Sequence, residues 1–441
     1  MVLLSAALLA GSCSKAPPMP LPKPGGLWTV SSSISPSFVK PTPAMDRMTE
    51  LTFWTGFALF RDPWVAAPAS TTARDGLGPV FSARSCVACH ASGGRGDSLR
   101  FKPRAVGTVY RLVDEPTLRA RFGTHLQPRA TYDMNADGRR VSGFYSGEPY
   151  PNIEIRSLDT IAGSLRQIHA GLGDAPMYSV SPRLAPGIVG LGLLEAIPES
   201  RLVALADPED NDFDGISGRI NWIGDGDQRL AGRFGWKAPH PSVADQTADA
   251  FRNDIGITSA LAPEEPCSSA QTLCSAQRRG DGPVGEHEIN EQLFDYVVQF
   301  TSSLGVPDAR PVNPEIDRGR MLFNDARCAS CHTPSHKVTI NKQQQEIWPY
   351  TDLLLHDMGP LLADGVVEGS ATGGEWRTPP LWALGAAKQL NPETGFLHDG
   401  RASTIHEAVL WHGGEAAPAA AKFNKFSKAD QDALVAFVLA L

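Results

Sequence analysis

Residues 318–332 read RGRMLFNDARCASCH and residues 76–90 read GLGPVFSARSCVACH. Each string ends in C-x-x-C-H, as Cys86-Val87-Ala88-Cys89-His90 and as Cys328-Ala329-Ser330-Cys331-His332. Two thiols one helical turn apart can add to the two vinyl groups of one haem, and the adjacent histidine then reaches its iron from the proximal side. At this composition one such string arises by chance about 0.003 times per chain. Two of them point to two covalently attached c-type haems, with His90 and His332 as iron ligands. A thioredoxin-like pair needs no trailing histidine, and the halves of a zinc ribbon lie within roughly 20 residues, against the ~240 that separate these motifs.

The strings also share a glycine, an aromatic (Phe81 or Phe323) and a short spacer before the motif. This repeat reads as the opening of two cytochrome c-like haem domains. GVPDARPVNP, residues 305–314, breaks any helix between them. Residues 44–64 place Met48, Leu51, Phe53, Phe57 and Leu59 at helical spacing and stop before Pro63, which predicts a packing helix. At the far end Ser427 is a good N-cap for an amphipathic helix containing Leu434, Phe437, Val438 and Leu441. The expected fold is mainly α with long irregular loops. An N-terminal haem domain, 44–310, carries a large insertion, and a C-terminal haem domain spans 311–441.

Glycine (42) and proline (36) make about 18% of the 441 residues, against a usual ~12%, so long irregular segments should separate short helices. A net charge of −8, with no basic run interleaved with aromatics, excludes nucleic acid as a partner class. The opening MVLLSAALLAGSC is apolar but too short to span a bilayer, and it reads as an export signal. Leu9-Ala10-Gly11-Ser12-Cys13 resembles a lipobox, with a conventional signal peptide as the alternative, and 14–43 is a Pro/Ser-rich tether. The expected location is periplasmic, with the membrane touched only through an N-terminal lipid. Cys267 and Cys274 have no histidine nearby and read as a local disulfide. Residues 210–215 (DNDFDG) and 133–138 (DMNADG) place oxygen ligands at positions 1, 3 and 5 and glycine at 6, as calcium loops do. Asp210, Asp212 and Asp214 are the candidate ligands in the first. Position 12 is Asn221 or Phe144 rather than glutamate, so a solvated acidic turn is the alternative.

Further strings carry a family resemblance: SPRLAPGIVGLGLLEAIPES, DFDGISGRIN, GRFGWKAPHPSVADQTADAFRNDIGITS, LLLHDMGPLLADG, GGEWRTPPLWALG and FLHDGRASTIHEAVLWHGGEA. From about residue 45 onward the chain resembles the di-haem oxidoreductases, relatives of bacterial di-haem cytochrome c peroxidases. The resemblance implies a peroxide-reducing N-terminal haem, fed by a C-terminal relay haem whose second axial ligand follows the HDG motif, here His398-Asp399-Gly400. The matching position is His412, which shares a helix face with Ile405, Ala408 and Val409. Met358 and His356 are its rivals. The family's pocket carboxylate falls at Glu195, the expected general acid, or at Glu199. His125 and His169 are alternatives as sixth ligands of the first haem, and Trp236, Trp376 and Trp382 are candidates for a tryptophan between haems. The implied partners are an electron-donor protein or small redox carrier, and peroxide or another oxidant. The rival functions are a non-catalytic electron-transfer cytochrome and an oxygenase or oxidase of an organic or protein substrate.

Overall fold

The computed structural model describes residues 23–31, 37–71, 73–102, 104–113, 115–131, 145–158, 165–172, 179–277, 279–280 and 287–441. The export signal, the lipobox with Cys13 and the 133–138 acidic loop lie outside the described residues.

Two helix crossings organise the molecule. The Arg47–Arg61 helix begins at Asp46, whose carboxylate accepts from the Met48 and Thr49 N–H groups. It packs on the Glu291–Ser302 helix, capped by Asn290 through the Leu293 N–H. The close approach is at Gly56, where a Cβ would stand 1.9 Å from the Tyr296 carbonyl oxygen. Phe53 and Phe60 each lie 5.0 Å, centroid to centroid, from Phe300. The second crossing repeats the first. The Pro314–Asp325 helix, with Pro314 in its first turn and Asn313 as its cap, meets the Lys428–Val438 helix, capped by Ser427. A Cβ on Gly319 would stand 1.9 Å from the Ala433 oxygen, and Phe323 lies 5.4 Å from Phe437.

The structure therefore moves the internal repeat. Gly56-Phe-Ala-Leu-Phe60-Arg-Asp62 matches Gly319-Arg-Met-Leu-Phe323-Asn-Asp325, so Phe60 is the counterpart of Phe323. Phe81 instead sits in the short strand Val80–Phe81. In the second unit only residues 326–327 separate this helix from the haem motif. In the first, residues 63–85 intervene and hide the correspondence.

The mainly α expectation is overturned: 33% of the chain is helical and 18% is strand, in many small sheets. Thr108–Leu112 pairs antiparallel with His125–Leu126 and Val180–Leu184. Asn152–Leu158 pairs with Leu165–Gly171, and Val80–Phe81 with Arg129–Ala130. The second half adds His336–Ile340 with Gln343–Ile347, and Leu355–Asp357 with Glu375–Arg377. The cause is local: Thr108–Leu112 alternates buried and half-buried side chains, the period-two pattern of a strand.

The described part of the expected tether is docked. Thr29–Val30 pairs parallel with Val306–Pro307, and the Trp348 N–H donates to the Pro24 oxygen. A core of Val189, Leu193 and Leu194 with Leu353, Leu354 and Trp382 joins the two halves. Leu165, from the hairpin inserted in the first half, is buried in the core of the second helix-crossing unit.

Candidate functional site: two cavities behind the C-x-x-C-H motifs

Each motif forms a single 3-10 turn, Cys86–Ala88 and Cys328–Ser330. The His90 N–H donates to the Cys86 oxygen at 2.9 Å and the His332 N–H to the Cys328 oxygen at 3.0 Å. None of the four motif cysteines is in a disulfide, whereas Cys267 and Cys274 are bonded to each other as expected. Burial pushes the Cys89 and Cys328 thiols up to about 12. This is the opposite of the thiolate character that an attacking redox cysteine needs.

The two histidines are set identically. His90 Nδ1 lies 2.8 Å from the Pro186 oxygen and His332 Nδ1 lies 3.0 Å from the Tyr350 oxygen. Each Nδ1–H donates, which leaves Nε2 as the lone-pair nitrogen, the tautomer a metal requires. Burial lowers the pKa of both, to about 4 for His332, so both imidazoles are neutral at pH 7. Phe60 and Phe323 flank them at the same centroid distance, 6.3 Å.

Behind each motif lies a cavity. The first, ≈ 250 Å³, is lined by Cys86, Cys89 and His90, and the second, ≈ 330 Å³, by Cys328, Cys331 and His332. Paired thiols and a neutral histidine on the wall of a largely apolar cavity fit a haem at each site. His412 follows the Ile405–Leu410 helix, whose cap is Thr404. Its Nδ1 donates to the Ala408 oxygen at 2.8 Å, it lies on the wall of the second cavity, and burial keeps it neutral. Met358 shares that wall. His356 is committed elsewhere: Nε2 lies 2.9 Å from Asp352 and Nδ1 lies 2.8 Å from Glu415. Burial opposes its charge, but these carboxylates hold its pKa well above the usual range, so it has no lone pair for iron.

The first cavity differs. His125 is on its wall, but its Nε2 accepts from Arg111 Nη1 at 2.8 Å and its Nδ1 lies 2.9 Å from Thr124 Oγ1. Both nitrogens are engaged, and burial, then the Arg111 charge, hold it neutral. His240, Asp249 and Asp254 complete a polar group on the same wall, with His240 Nε2 3.4 Å from Asp249. Burial opposes ionisation of Asp249, but the His240 hydrogen bond and the neighbouring positive charge together outweigh it and hold its pKa low. Burial, then the charge of Asp249, raise Asp254 to about 7. Two nearby carboxyls with pKa values pushed apart are what acid–base chemistry uses.

Sequence reasoning missed Asp249 and Asp254. The Val243–Ala250 helix runs into a π turn, Phe251–Ile255. A spacing of five, out of phase in an α-helix, comes into phase where bonding is i→i+5. The string ADAFRND contained both acids but not that geometry.

The other expected residues are placed as follows. Glu195 lies on neither cavity wall; its carboxylate accepts from the Val243 N–H at 2.8 Å and so caps the helix that carries Asp249. Glu199 accepts from the Ala231 N–H, and His169, in the Leu165–Gly171 strand, is also off both walls. In the acidic loop, the carboxylates of Asp207, Asp210 and Asp212 come within 4.8 Å of one another. Asp214 instead pairs with Arg327, beside Cys328, so Asp207 takes the place expected of Asp214. Of the tryptophans, Trp382 lines the first cavity, Trp376 the second and Trp236 both. The Trp236 Nε1–H donates to the Leu184 oxygen at 2.9 Å and fixes the ring in the shared wall.

No curated protein matches the chain. Among solved structures, the hydrazine synthase of Kuenenia stuttgartiensis, pressurized with 20 bar xenon, covers 100% of both chains at 11% identity and a TM-score of 0.33, a likeness too slight to carry an argument. Residues 177–441 match the family described as "Di-haem oxidoreductase, putative peroxidase", a stretch that holds the second motif, His412 and the His240, Asp249 and Asp254 group, but not the first motif, Arg111 or His125. That match runs over more than half of the chain and takes in the second haem motif, and the chain belongs to the di-haem oxidoreductase family.

Proposed function

We propose that this protein is an exported di-haem c-type oxidoreductase that reduces peroxide, its haems bound covalently at Cys86/Cys89 and Cys328/Cys331. Electrons enter at the His332 side and leave at the His90 side. The observation that carries this reading is the contrast between the second histidines of the two cavities. His412 offers Nε2 to the second cavity, as a sixth ligand would, whereas His125 has both nitrogens engaged. The first cavity therefore keeps a coordination position for substrate, and the second serves as a relay. Bound haem supplies the one-electron chemistry and the site for peroxide.

The chain's own residues supply the rest. Peroxide takes two electrons and two protons as its O–O bond breaks, and two waters leave. Asp254, raised to about 7, holds a proton on the wall of the first cavity, and Asp249 and His240 form the adjoining pair that can restore it. Arg111 orients His125 toward the same space. Trp236, common to both walls, is the side chain through which electrons cross. Export is supported by the apolar start of the chain and by the Cys267–Cys274 disulfide, which belongs to an oxidising compartment. The donor is a redox protein or a small carrier.

The test uses haem-loaded protein with a reduced artificial donor and hydrogen peroxide. Two donor electrons should be consumed per peroxide, and a His90→Ala variant should abolish this. A protein that carries both haems and leaves peroxide untouched is an electron carrier, and the peroxidase reading is then lost.

A further inference from the structure

Six residues line both cavities: Arg95, Trp236, Arg377, Pro379, Pro380 and Leu384. Two of them are arginines, 7% and 8% exposed. Among the described residues, neither forms an ion pair; Asp352 acts on Arg377 only as a nearby charge and is itself hydrogen-bonded to His356. Arg95 gives Nε and Nη2 to the Gly395 oxygen at 3.3 and 3.1 Å and sits over the Trp236 ring, 5.9 Å from its centroid. Arg377 gives Nε to the Gly235 oxygen at 2.9 Å and Nη1 to the Thr378 oxygen at 3.1 Å. Burial lowers both guanidinium pKa values to about 10.

Buried guanidinium groups are costly unless an anion meets them. The acids around them are committed. On the first wall Glu368 pairs with Arg111 at 2.9 Å and Asp249 with His240, and Asp254 stays protonated up to about pH 7. On the second wall Asp214 pairs with Arg327 and Glu415 with His356. Each of the two adjoining cavities thus shares the same two cations, neither of them in an ion pair. The cofactor that fits each cavity carries two propionates, and carboxylate is the anion that the planar guanidinium fork grips best.

We propose that Arg95 and Arg377 are propionate anchors shared by the two haems, coupling them electrostatically across the Trp236 wall. This rests on the di-haem reading above. At an effective dielectric near 20, loss of a cation from the wall of a haem cavity would disfavour reduction there by roughly tenfold, and loss of a shared cation would do so at both haems.

The experiment compares haem-loaded Arg95→Gln, Arg95→Met, Arg377→Gln and Arg377→Met with Arg95→Lys and Arg377→Lys. Haem per chain and the reduction equilibrium of each haem are measured by optical titration. The expected result is two haems per chain, with both equilibria shifted about tenfold toward the oxidised form in each neutral variant and restored by lysine. Loss of both haems from the neutral variants, with retention in the lysine variants, gives the same assignment. A shift at one haem alone, no shift, or haem loss from the lysine variants as well overturns it. An unmodified chain without two haems sinks the proposed function instead, so the two failures are distinguishable.

Discussion

Asp254 is the residue on which the acid–base account turns. Replacing it with asparagine should leave haem content unchanged and lower peroxide turnover by about 100-fold, the usual range for loss of a general acid. The sign with pH follows from its raised pKa: the proton is present below about 7, so turnover should fall as pH rises through 7 and go flat in Asp254→Asn. His412→Met should keep the second haem six-coordinate and raise its reduction potential, because a thioether favours ferrous iron more than imidazole does. Potentiometric titration reads this directly. His90, His332 and His412 were legible in the sequence for different reasons. The first two are adjacent in sequence to the cysteines that define them, and the third was singled out by its place after the HDG motif in the family resemblance, although the structure ends the helix before it, at Leu410. Asp254 was not legible, because its position depends on a π turn and on a cavity built by distant segments. Glu195 misled because a carboxylate at a helix end reads the same whether it faces a cavity or, as here, caps the next helix.

The two glycine crossings make the clearest prediction for the helices. Gly56→Ala and Gly319→Ala each drive a methyl into a backbone carbonyl 1.9 Å away, so each helix pair must part. Overpacking of this kind costs about 1–3 kcal/mol, and each variant should melt lower than the unmodified protein by calorimetry. Because Phe60 and Phe323 sit one turn beyond those glycines and flank His90 and His332, the same variants should perturb the haem nearest the substitution. The G-x-x-L-F-x-D repeat was open to inspection in the sequence. It is hidden because the 63–85 segment changes the distance to the cysteines in the first unit only. The terminal helices were correctly expected, since the periodic apolar pattern of the fifteen residues Arg47–Arg61, closed by Asp46 and Pro63, leaves little else. The small sheets were not, because strands of two to seven residues give too few positions for alternation to stand out from loop.

The whole molecule is two helix-crossing units joined through a common core and a wall of arginine, tryptophan and proline. Its inserted β segments account for the departure from a mainly α fold. The Cys267–Cys274 disulfide closes a short loop across a sequence separation of 7, so its removal as Cys267→Ser/Cys274→Ser should cost about 2 kcal/mol. Both haems should be retained, because the bridge lies on neither cavity wall. The central claim is one open haem site and one closed one in a single chain. The most direct test is low-temperature EPR of the haem-loaded ferric protein, compared with its His412→Ala variant. The account predicts one high-spin and one low-spin signal in the unmodified protein and loss of the low-spin signal in the variant. Two low-spin signals in the unmodified protein, or a low-spin signal indifferent to His412, would contradict it.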